Sequence, residues 1–113
     1  MSKLDDMAIK VAKNMPGKGE AALDPAMIPV IIDIVSNLIT LFKGCNKTPG
    51  EAVKASKNPS RWEKVLLNQT IRKQLGVGFF RFRREGDEMV EAVLKTGKEM
   101  TEPDVKELYE EVD

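Results

Sequence analysis

Few residues in this chain are of types that support catalysis or metal binding. Among its 113 residues there is no histidine and one cysteine, Cys45. Without histidine the commonest general base, proton shuttle and transition-metal ligand is missing. A triad that uses histidine and a zinc site with histidine ligands are therefore excluded. Cys45 follows Lys43 and Gly44 at an expected helix end. Lys43 and Lys47 favour a thiolate there, but the negative end of a helix opposes it, so Cys45 is read as a structural thiol. One cysteine forms neither an intrachain disulfide nor a cysteine metal cage, which fits a reducing compartment. Gly76-Val77-Gly78 lacks the Gly-Lys-Ser/Thr that completes a phosphate loop. Glu107, Glu110, Glu111 and Asp113 lack the spacing of an EF-hand. No nucleophile–base pair or metal cluster emerges, and the sequence predicts a non-enzymatic protein without catalytic residues, cofactor or metal.

Charge is the feature with most content. The formal net charge is zero, with 18 basic and 18 acidic residues, but they are segregated. Residues 54–84 hold nine basic side chains and one acid, Glu63, whereas residues 85–113 hold eleven acids and three lysines. Three uses compete. Acidic and basic parts pair within one subunit, where exposed ion pairs are individually weak. Alternatively, subunits meet head to tail, charge fixing the register. In the third, the basic segment contacts nucleic-acid phosphates. Arg72, Lys73, Arg81, Arg83 and Arg84 are the candidate contacts for an acidic partner or for phosphate. The pI of about 6.3 and the lack of any nucleic-acid-binding motif weigh against the third use.

The elements that must position these residues read as helices. Ser2–Asp5, Thr48–Glu51, Ser60–Glu63 and Thr101–Asp104 are four capping boxes. In each, the hydroxyl accepts from the third helical amide and the carboxylate returns to the cap amide. A first helix is expected over 4–14, its apolar face made by Leu4, Met7, Ala8, Val11, Ala12 and Met15. A linker follows over 16–24. A central helix spans about 28–43 and stops at Gly44. Further helices cover 49–56, 61–75, 87–96 and the stretch after Thr101. Trp62, Val65, Leu66, Ile71 and Leu75 are the expected inner positions of the 61–75 helix. Asp87 is the expected cap of the next one. Gly76–Gly86, which contains Phe79, Phe80 and Phe82, is expected to be a glycine-bounded short helix or turn whose phenylalanines enter the core.

The central helix is the most apolar element. Asp33, Ser36, Asn37 and Thr40 recur at i, i+3, i+4 and i+7, a narrow polar stripe on a broad apolar face. As a membrane span the run is short, since about 20 apolar residues are needed. Ile28, Ile31, Ile32, Val35, Leu38, Ile39 and Phe42 form the candidate face for an oligomer or partner.

The sequence therefore predicts an all-α chain, a bundle of five or six mostly short helices around the helix at 28–43. Residues 1–15 form an N-terminal amphipathic helix, 16–24 a linker and 25–113 the helical domain. The expected function is assembly: the chain self-associates or docks on a protein partner. This is the style of a small component of a larger particle, viral or phage-like being one setting. A nucleic-acid-binding accessory protein using 54–84 is the first alternative and a peripheral membrane protein the second. No small-molecule substrate is inferred. The N-terminus has no continuous apolar h-region, so the expected location is cytoplasmic or within a particle assembled in the cell.

Overall fold

The computed structural model describes residues 2–15, 27–75 and 83–112. Six α-helices follow one another: α1 (Lys3–Lys13), α2 (Met27–Gly44), α3 (Pro49–Lys57), α4 (Arg61–Leu75), α5 (Arg83–Gly97) and α6 (Glu102–Glu111). No strand occurs among the described residues. The expected all-α bundle is what the chain forms.

All four capping hydroxyls accept as expected. Ser2, Thr48, Ser60 and Thr101 each take the amide three residues on, at 3.1 to 3.4 Å. The carboxylate returns to the cap amide from Glu51 and from Asp104. Pro29 sits at the third position of α2, where its missing amide proton has no intrahelical partner to lose. Helix α2 ends at Gly44 as expected, and the turn that closes it lies just beyond. Asn46, not Gly44, takes the left-handed conformation, with φ 58°. Its amide donates to the Lys43 carbonyl and that of Lys47 to the Phe42 carbonyl, the paired bonds of a Schellman motif. Asparagine tolerates this conformation because its short polar side chain bonds locally.

Helix α2 packs on α1, α4 and α6. Ile31, Ile34, Val35 and Ile39 are buried in the core they share with Met7, Ala8, Val11 and Ala12 of α1. Full burial of an aliphatic side chain of this size contributes roughly 1.5–3 kcal/mol. The N-terminal helix is thus one wall of the bundle. By length and composition α2 is also apolar enough to cross a membrane. Its polar stripe has a protein partner instead: Asn37 donates to Gln74 Oε1 at 3.0 Å, and Gln74 donates to Asp33 Oδ2 at 3.3 Å. Residues 16–24, the expected linker, lie outside the described residues.

The C-terminal helices interlock with the rest through polar contacts as well. Lys43 Nζ donates to the Tyr109 carbonyl at 3.0 Å and to the Val112 carbonyl, capping the end of α6 from the end of α2. Tyr109 donates to the Lys47 carbonyl at 2.9 Å, and burial, helped by Glu51, raises its phenol above the ordinary range. Buried Thr96 donates to Ala92 O and accepts from Asn14 Nδ2, tying α1 to α5. Met100 and Val105 are both buried at the staple positions around Thr101.

Helix α5 begins at Arg83, four residues before the expected cap. Asp87 therefore lies inside it and bonds Arg72 Nη2 at 2.7 Å instead of capping. Gly86 is likewise a buried helical residue, and not the boundary of a turn; a Cβ there would stand 3.4 Å from Arg72 Nη1. Gly76 to Phe82, with the three phenylalanines expected in the core, lies outside the described residues.

Two predictions follow from packing and from the caps. A Cβ on Gly97 would stand 2.9 Å from the Ser56 carbonyl oxygen, a backbone atom that cannot swing away. Gly97→Ala should lower unfolding stability by about 1–3 kcal/mol in urea titrations. Gly44→Ala is the control, since its Cβ meets nothing within 4 Å. It should leave stability unchanged or raise it by up to about 1 kcal/mol.

The second concerns acid. The Thr48 amide and hydroxyl hold the Glu51 carboxyl below its ordinary value of 4.5. Burial pushes Asp104 up, but bonds from Lys3 and Thr101 outweigh it and hold that carboxyl below 3.8. A depressed folded pKa gives stability that is complete above the unfolded value and lost as pH falls through the folded one. Urea unfolding from pH 7 to pH 2 should show the loss beginning near these values. Glu51→Gln and Asp104→Asn should be less stable than the parent at pH 7 and converge with it at the acid end.

Candidate functional site

Two of the four boxes, Ser2–Asp5 and Ser60–Glu63, keep only the hydroxyl bond, and the second of them borders the site. Ser60 Oγ accepts from the Glu63 amide at 3.2 Å, so α4 starts as the sequence demands. The Glu63 carboxylate makes no return bond to the Ser60 amide among the described residues. Its Oε2 is instead buried, with no hydrogen-bond partner among them.

Glu63 lines a cavity of about 290 Å³ to which all six helices contribute. Buried Val11, Ile39, Leu67 and Leu108 form its floor. The exposed lining residues Leu41, Cys45, Ser60 and Trp62 form its rim. The Schellman turn after α2 is what carries Cys45 and Lys47 to this rim. Protein interiors are close-packed, and voids larger than a water molecule are few. The charged residues among the described lining are Lys47 and Glu63.

The outer face of α4 is the second feature. Trp62 and Val65, expected inside, are 68% and 41% exposed. Leu67 and Ile71 are the buried pair, and at about 100° per residue they lie roughly opposite Trp62 and Val65. Burial of Leu67 and Ile71 favours this roll, and the exposed bond from Asn37 of the α2 stripe to Gln74 is consistent with it. Leu66 is half-buried at the cavity wall, and the side chain of Leu75 lies outside the described residues. Arg61 and Lys73 are exposed on the same outer arc, Arg61 beside Val65 and Lys73 about three turns along from Trp62, and Lys64 is exposed off that arc. Leu41 of α2, 38% exposed, stands with Trp62 on the cavity rim.

The residues singled out from sequence fare differently. Of the expected apolar face, Ile31, Val35 and Ile39 are inside this chain's own core, where a partner cannot reach them. Ile28, Ile32, Leu38 and Phe42 are half-buried against that core, and Leu38 and Phe42 line the cavity. Arg72 is held between Asp87 and Asn68, whose Oδ1 accepts from its Nε at 2.6 Å. Lys73 is exposed. Arg83 and Arg84 open α5, and Arg81 lies outside the described residues. Glu63 was legible only as a capping acid. Its place as the lone acid in the basic segment was the available signal.

No group of three or more histidine, cysteine, aspartate or glutamate residues is placed to hold a metal ion among the described residues. Compared with known proteins, the chain matches no family model, no curated protein and no solved structure, so its surface must be read from its own chemistry.

Proposed function

We propose that this chain is a non-enzymatic helical assembly module that associates through the outer face of α4, and that a second copy is the partner its own charges match. The observation that carries the reading is the exposed pair Trp62 and Val65 on the arc of α4 that also carries exposed Arg61 and Lys73. Tryptophan and arginine are the residues most enriched where binding energy concentrates. An acidic helix with a solvated face is the complement. Helix α6 offers one, with Glu102, Glu107, Glu110 and Glu111 exposed. Within the subunit, the ion pairs seen among the described residues are Lys3–Asp104 and Arg72–Asp87, so most of these charges remain available to a neighbour. A contact of α4 on one copy with α6 on the next is heterologous and propagates as a ring or a filament.

The same cations serve a second reading, a nucleic-acid-binding accessory protein, favoured by exposed Lys54, Lys57, Arg61, Lys64 and Lys73 on the 54–84 segment. The two separate experimentally. Light scattering behind size exclusion should show association at low salt that weakens as salt rises, and Trp62→Ser should weaken it by at least about tenfold. A strict monomer at high protein concentration and low salt overturns the assembly reading. If that monomer binds DNA or RNA with an affinity that falls steeply with salt, the second reading replaces it.

A further inference from the structure

We propose, on the basis of the assembly reading, that the contact between copies has one direction: α4 of one copy lies antiparallel on α6 of the next, its first turns on the last turns of α6, with Arg61 meeting Glu110. Within one subunit α4 packs on α2 and α5, and α6 packs on α1, α2 and α3. The outer face of each is left to a neighbour, and neither face is uniformly charged.

Positive charge collects at the start of α4. Lys57, Arg61 and Lys64 are exposed around the Ser60 cap, and the acid among them, Glu63, is half-buried. At the far end Lys73 is exposed, but Arg72 pairs with Asp87 at 2.7 Å, and exposed Glu91 stands one turn further along α5. Negative charge collects at the end of α6. Its first turns hold Glu102 and Asp104, but Asp104 pairs with Lys3, and Lys106 is exposed on the same face as Glu102. The Glu102 carboxylate also lies beside the start of α3, 3.9 Å from where Gly50 would carry a Cβ. From Glu107 onward α6 has exposed Glu107, Glu110 and Glu111 and no base. Glu110 lies near the middle of the exposed arc, at about 100° per residue. Opposite poles attract, so the antiparallel seating is favoured over the parallel one, which would set Arg61 on Glu102 and Lys106. The same seating serves Trp62, 68% exposed near the start of α4. Its indole N–H donates and cannot accept, and the carboxylates at the end of α6 are acceptors.

Double-mutant cycles on the full chain read the direction, with association measured by light scattering behind size exclusion at low salt. Arg61→Glu and Glu110→Lys should each weaken association about tenfold, and the two together in one chain should recover to within about threefold of the parent. Arg61→Glu with Glu102→Lys should stay as weak as Arg61→Glu alone. All three positions are exposed, and each variant should keep a cooperative thermal melt by circular dichroism. Recovery with Glu102→Lys in place of Glu110→Lys overturns the antiparallel seating and leaves assembly through α4 and α6 standing. No recovery in either double variant, or association that Trp62→Ser weakens and Arg61→Glu does not, overturns the seating as well. A parent chain that stays monomeric overturns the assembly reading and the seating with it.

Discussion

Removal of one face of α2 from water is the constraint on which this bundle depends. Ile31, Ile34, Val35 and Ile39 are buried together, and α1, α4 and α6 gather on that helix. The other helices have 9 to 15 residues, lengths at which isolated helices are marginal in water. They hold their shape because α2 gives them an apolar surface to cover. The polar stripe meets one of them: Asp33 accepts and Asn37 donates hydrogen bonds at one place on α4, Gln74, on the side that Leu67 and Ile71 turn inward.

That rotation turns Leu67 and Ile71 into the core, and by the same movement places Trp62 and Val65 outside. The cavity, by contrast, is lined from all six helices, largely by aliphatic side chains.

Charge plays a different part. The basic run and the acidic C-terminal run are linked within the subunit by Arg72–Asp87, seated where Gly86 allows α5 to approach α4. Lys43 binds carbonyls at the end of α6, and so joins the most apolar helix to the most acidic one. These contacts organise the helices without neutralising their outer faces. The opposite signs of α4 and α6 stay directed at solvent, where charge steers association and selects partners more than it stabilises the fold.

The sequence by itself determined the helices and their ends. Capping hydroxyls, prolines and apolar spacing are local, and a local signal needs no knowledge of what lies across the core. It therefore located α1, α3, α4 and α6 closely, and the inner face of α1 as Met7, Ala8, Val11 and Ala12. Where two local signals competed, tertiary contact chose between them. Helix α2 stops at Gly44 as expected, with Asn46 closing the turn beyond it, whereas α5 starts four residues early and Asp87 pairs with Arg72 instead of capping. The candidate sites were legible as residue types but not as places. The burial of Ile31, Val35 and Ile39, the outward turn of Trp62 and the orphaned oxygen of Glu63 depend on how one helix is rolled against another. That rotation is expressed in contacts such as Asn37 with Gln74, 37 residues apart in the chain, and only the tertiary structure brings them together.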